Sequence, residues 1–237
     1  MNLEFTPLSS IALREIVLKE TSEGGFTIPQ SIKKPSEDVW SKLTLKQPNL
    51  HASPLYRVTK LVNSEQSLCE VATDITYKDI VGIRNTPNFK DYFKDTASIP
   101  HALSMIALVY TKDEKLLLLE RSTGDWEESL ELPGAFMRPA WGSSLYKQAL
   151  TFLHNDLLIT EEDIDSHSII GSLHYSDICE HMLITRFDLK CTYEELISAK
   201  KRVVFLPDNY AVSTHTNYFT LPLHSPSATV LSLNDQF

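Results

Sequence analysis

Cysteine is scarce in this chain. The three present, Cys69, Cys179 and Cys191, are odd in number and widely spaced. That excludes a disulfide framework and favours free thiols in a reducing compartment. Long apolar runs are missing too. The longest candidate, around Ala102–Tyr110, is only of strand length, so no membrane span is expected. The beginning, MNLEFTPLSS, lacks the basic start and apolar run of a secretory signal. Together these absences predict a cytoplasmic location. Basic residues are outnumbered, 22 Lys and Arg against 31 Asp and Glu, and the formal charge is −9. A nucleic-acid polymer needs a basic face, so none is expected as partner. There is no G-x-S-x-G, no P-loop and no G-x-G-x-x-G, which removes the commonest hydrolase and nucleotide signatures.

What is present is an ordinary apolar content of 42% and a charged content of 22%, enough for a real core. Alternating and apolar segments predict strands at Leu55–Leu61, Leu68–Ile75, Ala102–Tyr110, Lys115–Glu120, Ser129–Leu132, Ser168–Leu173, His181–Leu189 and Val203–Leu206. Ala102–Tyr110 reads as a central strand buried on both faces, with Lys115–Glu120 as its hairpin partner. Helices are expected after Ser36, with Val39, Trp40 and Leu43 as the buried side, and over Tyr77–Ile83. Thr192 with Glu195 forms a capping box for another. Ile11–Lys19 fits either a strand or a short helix. His174–Glu180 reads as a loop, and the tail from Pro207 as irregular.

The chemistry-bearing stretch runs from Leu132-Pro133-Gly134-Ala135 to Ile159. A Pro-Gly turn and a short loop lead into one amphipathic helix. Leu145, Ala149, Leu153 and Leu157 recur every four residues and form its buried stripe. Phe152, Asn155 and Asp156 share a second face. The domain organisation follows as an α/β extension over 1–100 and a second domain over 101–237.

The element order around LLLLERS and LELPG, followed by loop, helix and long strand, resembles the Nudix hydrolases. The stretch VWSKLTLKQPNLHASPLYRV with TDITYKDIVGI resembles the extension of the subgroup that acts on sugar nucleotides. The resemblance implies a mixed β-sheet sandwiched between helices. It also implies the signature G-x5-E-x7-R-E-U-x-E-E-x-G-U, with U aliphatic. Counted from Ser143, its spacing is kept, while its first Glu falls on Ser143, its Arg on Thr151 and the next Glu on Phe152. The paired Glu positions fall on Asn155 and Asp156, and the Gly on Leu158. The upstream Gly falls on Ala135 if the loop holds two extra residues.

Nudix hydrolysis uses magnesium ions held by several carboxylates to bring a water to phosphorus. Of those positions only Asp156 is still acidic, so it is the remaining metal and catalytic candidate. Glu180, with Asp177, lies where some members place a general base. The expectation is a degenerate box: no cofactor, or magnesium if the chain is active. It would bind a nucleotide-diphosphate-type ligand or a protein partner, including a second copy, with little or no turnover. The alternative is a magnesium-dependent hydrolase of a nucleoside diphosphate derivative such as a nucleotide sugar. Arg121, Arg138 and Trp126 are the ligand-binding candidates, since Arg suits phosphate and Trp stacks on a base. For Arg121, pairing with a local acid such as Glu128 is the competing reading. His174, Asp177, Cys179 and His181 also form H-x2-D-x-C-x-H, a spacing that matches no established zinc signature.

Overall fold

A computed structural model of the chain describes residues 3–21, 25–64, 67–121, 129–198, 203–205, 227 and 230–231. In chain order the strands are β1 (Leu3–Ile11), β2 (Lys19–Glu20), β3 (Pro54–Ser64), β4 (Ser67–Thr76), β5 (Ala102–Tyr110), β6 (Leu117–Arg121), β7 (Ser129–Glu131), β8 (Gly134–Phe136), β9 (Ile164–Tyr175), β10 (Glu180–Leu189) and β11 (Val203–Phe205). The helices are α1 (Gln30–Lys46), α2 (Tyr77–Arg84), α3 (Leu145–Leu157) and α4 (Tyr193–Ile197).

The sheet is built around β5, whose run ALSMIALVY is apolar on both faces and buried along nearly its whole length. Alternate residues therefore feed two cores. Leu103, Met105, Ala107 and Val109 join α3 on one side. Ile106 and Leu108 join Met182, Ile184 and Leu173 on the other. Buried on both faces, β5 accepts a parallel neighbour, and β10 runs parallel to it from Ala102–Glu180 to Tyr110–Asp188. The strand order is β1-β9-β10-β5-β3-β4-β2, with β8 also paired to β5. A smaller sheet has the order β11-β6-β7. The expected mixed sheet between helices is the observed architecture.

Three expectations are corrected. First, β6 is not the hairpin partner of β5. Tyr110 makes one isolated bridge to Leu116, just before β6, and β6 itself goes to the smaller sheet, where its alternate leucines serve both cores. Second, α1 begins at Gln30, ahead of Ser36. Pro35-Ser36-Glu37 carries the local signature of a helix start, but Ile32 is fully buried with Ile80 and Ile83, and this contact extends the helix backward. Ser36 sits inside the helix, where its hydroxyl donates to the Lys33 carbonyl at 2.9 Å. The buried side of α1 is Ile32 and Ser36, while Val39, Trp40 and Leu43 are only half-buried. Gly82 on α2 explains the position of Ser36. A Cβ at Gly82 would lie 2.7 Å from the Ser36 carbonyl oxygen, so the two helices touch backbone to backbone. Third, His174–Glu180 is not one loop. β9 continues to Tyr175, a 3-10 turn covers Ser176–Ile178, and Glu180 opens β10.

Residues 1–100 and the stretch after them share one sheet and one core. β1 pairs with β9, and Leu13, Ile16 and Leu18 are buried with Leu145, Ala149 and Leu153 of α3. The capping box at Thr192 is formed as expected, with Thr192 and Glu195 satisfying each other's backbone amides. Of the tail beyond Pro207, Ser227 accepts a hydrogen bond from the Leu132 amide at 2.9 Å, and Val230 and Leu231 are buried beside Leu130 and Leu132. The rest of that tail lies outside the described residues. No helix among the described residues is long and apolar enough to cross a membrane.

Candidate functional site

The helix α3 is capped by Ser144, whose hydroxyl accepts from the Lys147 amide. Its expected stripe, Leu145, Ala149, Leu153 and Leu157, is buried. The second face differs from expectation. Phe152 stands seven residues, two helical turns, after Leu145, so it shares the buried stripe rather than a face with Asn155 and Asp156. It is 2% exposed, inside the core. Asn155 and Asp156 are exposed in the last turn.

The other box positions are occupied by structural contacts. The Ser143 carbonyl accepts the Leu18 amide at 2.8 Å, and Val17 bridges to Ser144, so the chain's own early segment lies along the start of the helix. Thr151 donates its hydroxyl to the Lys147 carbonyl at 2.8 Å. Among the described residues no three His, Cys, Asp or Glu side chains are grouped so as to hold a metal ion. Magnesium wants six oxygens in octahedral geometry. The side chains of the described residues do not fit a magnesium cluster.

The helix end takes the backbone of a glycine stop at a residue that is not glycine. Leu158 ends α3 in the left-handed region at φ 53°, ψ 18°. Its amide bonds the His154 carbonyl at 2.8 Å, and the Ile159 amide bonds that of Leu153 at 3.4 Å, as in a glycine-type helix stop. A left-handed non-glycine residue costs roughly 1–2 kcal/mol, and this leucine is 54% exposed, so its side chain returns little. Leu158→Gly is therefore expected to raise folding stability by about 1 kcal/mol, after allowing for the added freedom of the unfolded chain. Urea denaturation checks this, and a lowered midpoint would contradict it.

Before α3, the loop is pinned at both ends. Gly134 lies so close to β5 that a Cβ would stand 2.6 Å from the Met105 carbonyl oxygen. The fully buried Gln148 accepts the Arg138 amide at 2.8 Å and donates to the Gly142 carbonyl, stapling the loop to the helix. Arg138 is half-buried, with its guanidinium carbon 5.0 Å from the Trp141 ring centre. Its Nε is buried and has no hydrogen-bond partner among the described residues. Of the other ligand candidates, Arg121 ends β6 with its side chain outside the described part, and Trp126 lies outside the described residues altogether.

Glu180 is placed differently from expectation. As the first residue of β10 it is buried, not a loop acid facing solvent. Arg84 Nη1 donates to its Oε1 at 2.6 Å and Ser104 Oγ to its Oε2 at 2.8 Å. The side chains of Arg84 and Glu180 are 3% and 9% exposed. A carboxylate so engaged is not placed to act as a general base. Asp177 forms an ion pair with Lys90.

The H-x2-D-x-C-x-H residues are also divided. Cys179 is buried with Leu55, Ile80 and Ile99, and burial pushes its thiol up to about 12. His174 and His181 face each other across β9 and β10, with ring centres 5.9 Å apart, and His101 meets His174 edge-on at 4.3 Å. Burial, and then the neighbouring rings, hold His101 down at about 3 and His181 at about 4. Burial also lowers His174, against the pull of Glu4 opposite it on β1. Nε2 of His101 and of His181 has no hydrogen-bond partner among the described residues. This trio was not expected, though a β9–β10 hairpin closed at 175–180 necessarily pairs residue 174 with 181.

No protein-family model matches the chain, and no curated protein matches it. Solved structures do resemble part of it. NrtR from Shewanella oneidensis is 17% identical over 57% of this chain and 63% of that one, with a TM-score of 0.39. A MutT/nudix family protein from Enterococcus faecalis is 14% identical over 57% and 61%, with a TM-score of 0.39. A bifunctional NMN adenylyltransferase/ADP ribose pyrophosphatase from Francisella tularensis is 12% identical over 67% and 48%, with a TM-score of 0.40. This chain thus spans less than two thirds of the length of each of the three. What the molecule itself establishes is a mixed α/β architecture in which a strand, a pinned loop and a capped helix stand in the order the sequence announced.

Proposed function

We propose that this chain is a Nudix-type scaffold that binds a nucleotide-diphosphate-type ligand at the loop before α3 and does not hydrolyse it through a magnesium centre. The observation that carries this reading is Arg138. Its guanidinium is half-buried against Trp141, with Nε unpartnered among the described residues. A cation held partly out of water gains from an anion at hand, and the planar guanidinium matches the oxygens of a phosphate. The lack of a carboxylate cluster on α3 supports binding without turnover, because metal-held charge stabilisation in such reactions is worth several kcal/mol. The charge of −9 favours a small ligand over a nucleic-acid polymer.

A thermal-shift screen of nucleoside diphosphate sugars, dinucleotides and nucleoside triphosphates tests it. At least one compound is expected to raise the melting temperature, and Arg138→Met to remove the shift while the protein still melts cooperatively. Magnesium titrated by calorimetry is expected to show no specific site. Phosphate release in the presence of a tight magnesium site that Asp156→Ala abolishes would instead establish a divergent hydrolase. If no nucleotide shifts the melting temperature, ligand binding at Arg138 is refuted.

A further inference from the structure

A second concave site lies away from α3. The segment Gly25–Pro29 leading into α1, Arg57 on β3 and the residues between Tyr92 and Pro100 enclose a cleft of about 530 Å3. That is within the usual range for small-molecule sites. Three aromatic residues line it, Phe26 and Tyr92 half-buried and Phe93 buried.

The charges around it are unequally engaged. Asp74 accepts Arg57 Nε and Nη2 at 2.8 and 2.7 Å and also the Phe26 amide at 2.6 Å. One carboxylate thus neutralises Arg57 and fixes the aromatic wall, with the guanidinium carbon 5.8 Å from the Phe26 ring centre. Asp95, next to the cleft, is turned onto the amide and hydroxyl of Ser98 at 2.8 and 2.6 Å. Lys94 is exposed on the lining and has no ion pair or hydrogen bond among the described residues. Lys94 is therefore the lining cation that, among the described residues, no carboxylate contacts, with the Asp95 charge acting on it through space. Gly25 is part of the lining, and among the described residues an added Cβ there would meet nothing within 4 Å.

We propose that this cleft binds a small molecule consisting of a planar aromatic ring and one anionic group, the ring between Phe26 and Tyr92 and the anion at Lys94. A nucleoside monophosphate and an aromatic carboxylate share that chemistry. Two probes separate them, adenosine 5′-monophosphate and indole-3-acetate, with adenosine as the uncharged control. Calorimetry on the full chain is expected to show binding of at least one of the two anions. Lys94→Gln, at an exposed position, weakens that binding about threefold to fivefold and leaves adenosine unchanged. Tyr92→Leu weakens ring binding roughly tenfold through lost stacking. Gly25→Phe, which places a ring on the lining, abolishes binding without lowering the melting temperature.

Arg138→Met leaves all of this intact. Anion binding that Arg138→Met removes would belong to the loop before α3 and would overturn the assignment to this cleft. So would failure of both anions to bind up to about 5 mM, or binding indifferent to Lys94→Gln and Gly25→Phe.

Discussion

Replacing Arg84 with methionine is expected to cost about 3–5 kcal/mol of folding stability, the usual effect of stranding one member of a buried ion pair. The pair qualifies because Arg84 and Glu180 are 3% and 9% exposed and meet at 2.6 Å. Ser104 donates to the second carboxylate oxygen, so Glu180 is buried and bonded from two elements, α2 and β5. Removal of the guanidinium leaves the carboxylate in a low-dielectric setting without that cation. The double replacement Arg84→Met with Glu180→Gln is expected to recover much of the loss. It leaves no buried charge, and an amide oxygen can still accept from Ser104. Equilibrium urea denaturation of wild type, both singles and the double closes the cycle. A loss below about 1 kcal/mol in Arg84→Met would mean that Glu180 is not carried as a buried charge. The pair also bears on the ligand loop, because the Arg84 guanidinium carbon lies 5.7 Å from the ring centre of Phe136, two residues before Arg138.

The second large effect is acid lability. His101 and His181 titrate near 3 and near 4 in the fold because burial opposes their charging. Unfolded, each titrates near 6.5. Below that value the unfolded chain takes up protons that the native state refuses. The stability these two groups contribute is therefore complete above about pH 6.5 and declines as pH falls toward their folded values. Between about pH 7 and about pH 5 each group should remove about 2 kcal/mol, so the pair removes about 4 kcal/mol. His174 is half-buried and lowered too, and adds in the same direction. Denaturant unfolding at the two pH values measures this. His181→Leu should show a drop smaller by about 2 kcal/mol, since leucine takes up no proton in either state. An unchanged pH dependence in that variant would show that the ring is not held neutral by the fold.

Local patterns were legible and tertiary exchanges were not. Four leucine and alanine positions at helical spacing predicted α3, an unbroken apolar run predicted β5, and Thr192 with Glu195 predicted the start of α4. In each case the signal lies within one element. Phe152 reads with Asn155 and Asp156 at three and four residues, but its place two full turns after Leu145 puts it in the core. Ser36 failed because the start of α1 is fixed by Ile32 against Ile80 and Ile83, contacts more than forty residues away in sequence. Glu180 failed for the same kind of reason. An acid near a turn reads as solvated, and only Arg84 and Ser104, brought in from α2 and β5, make it a buried partner. Arg138 was legible as a candidate by residue type, but its staple, Gln148, was invisible because one glutamine on a helix carries no pattern.

The strand register also governs the order in which the molecule can assemble. Leu3 lies opposite Tyr175, and Ala102 opposite Glu180. Pairings so remote in sequence give up much chain freedom before they are repaid, which makes folding slow. On a ribosome, β1 and one side of β5 emerge long before their partners β9 and β10. The apolar run of β5 must wait in the meantime with one flank unpaired, as the kind of exposed edge that invites association between chains. Expression at lowered temperature or with a holdase chaperone should therefore raise the soluble yield of this protein by acting on that interval, while leaving the stability of the finished fold untouched.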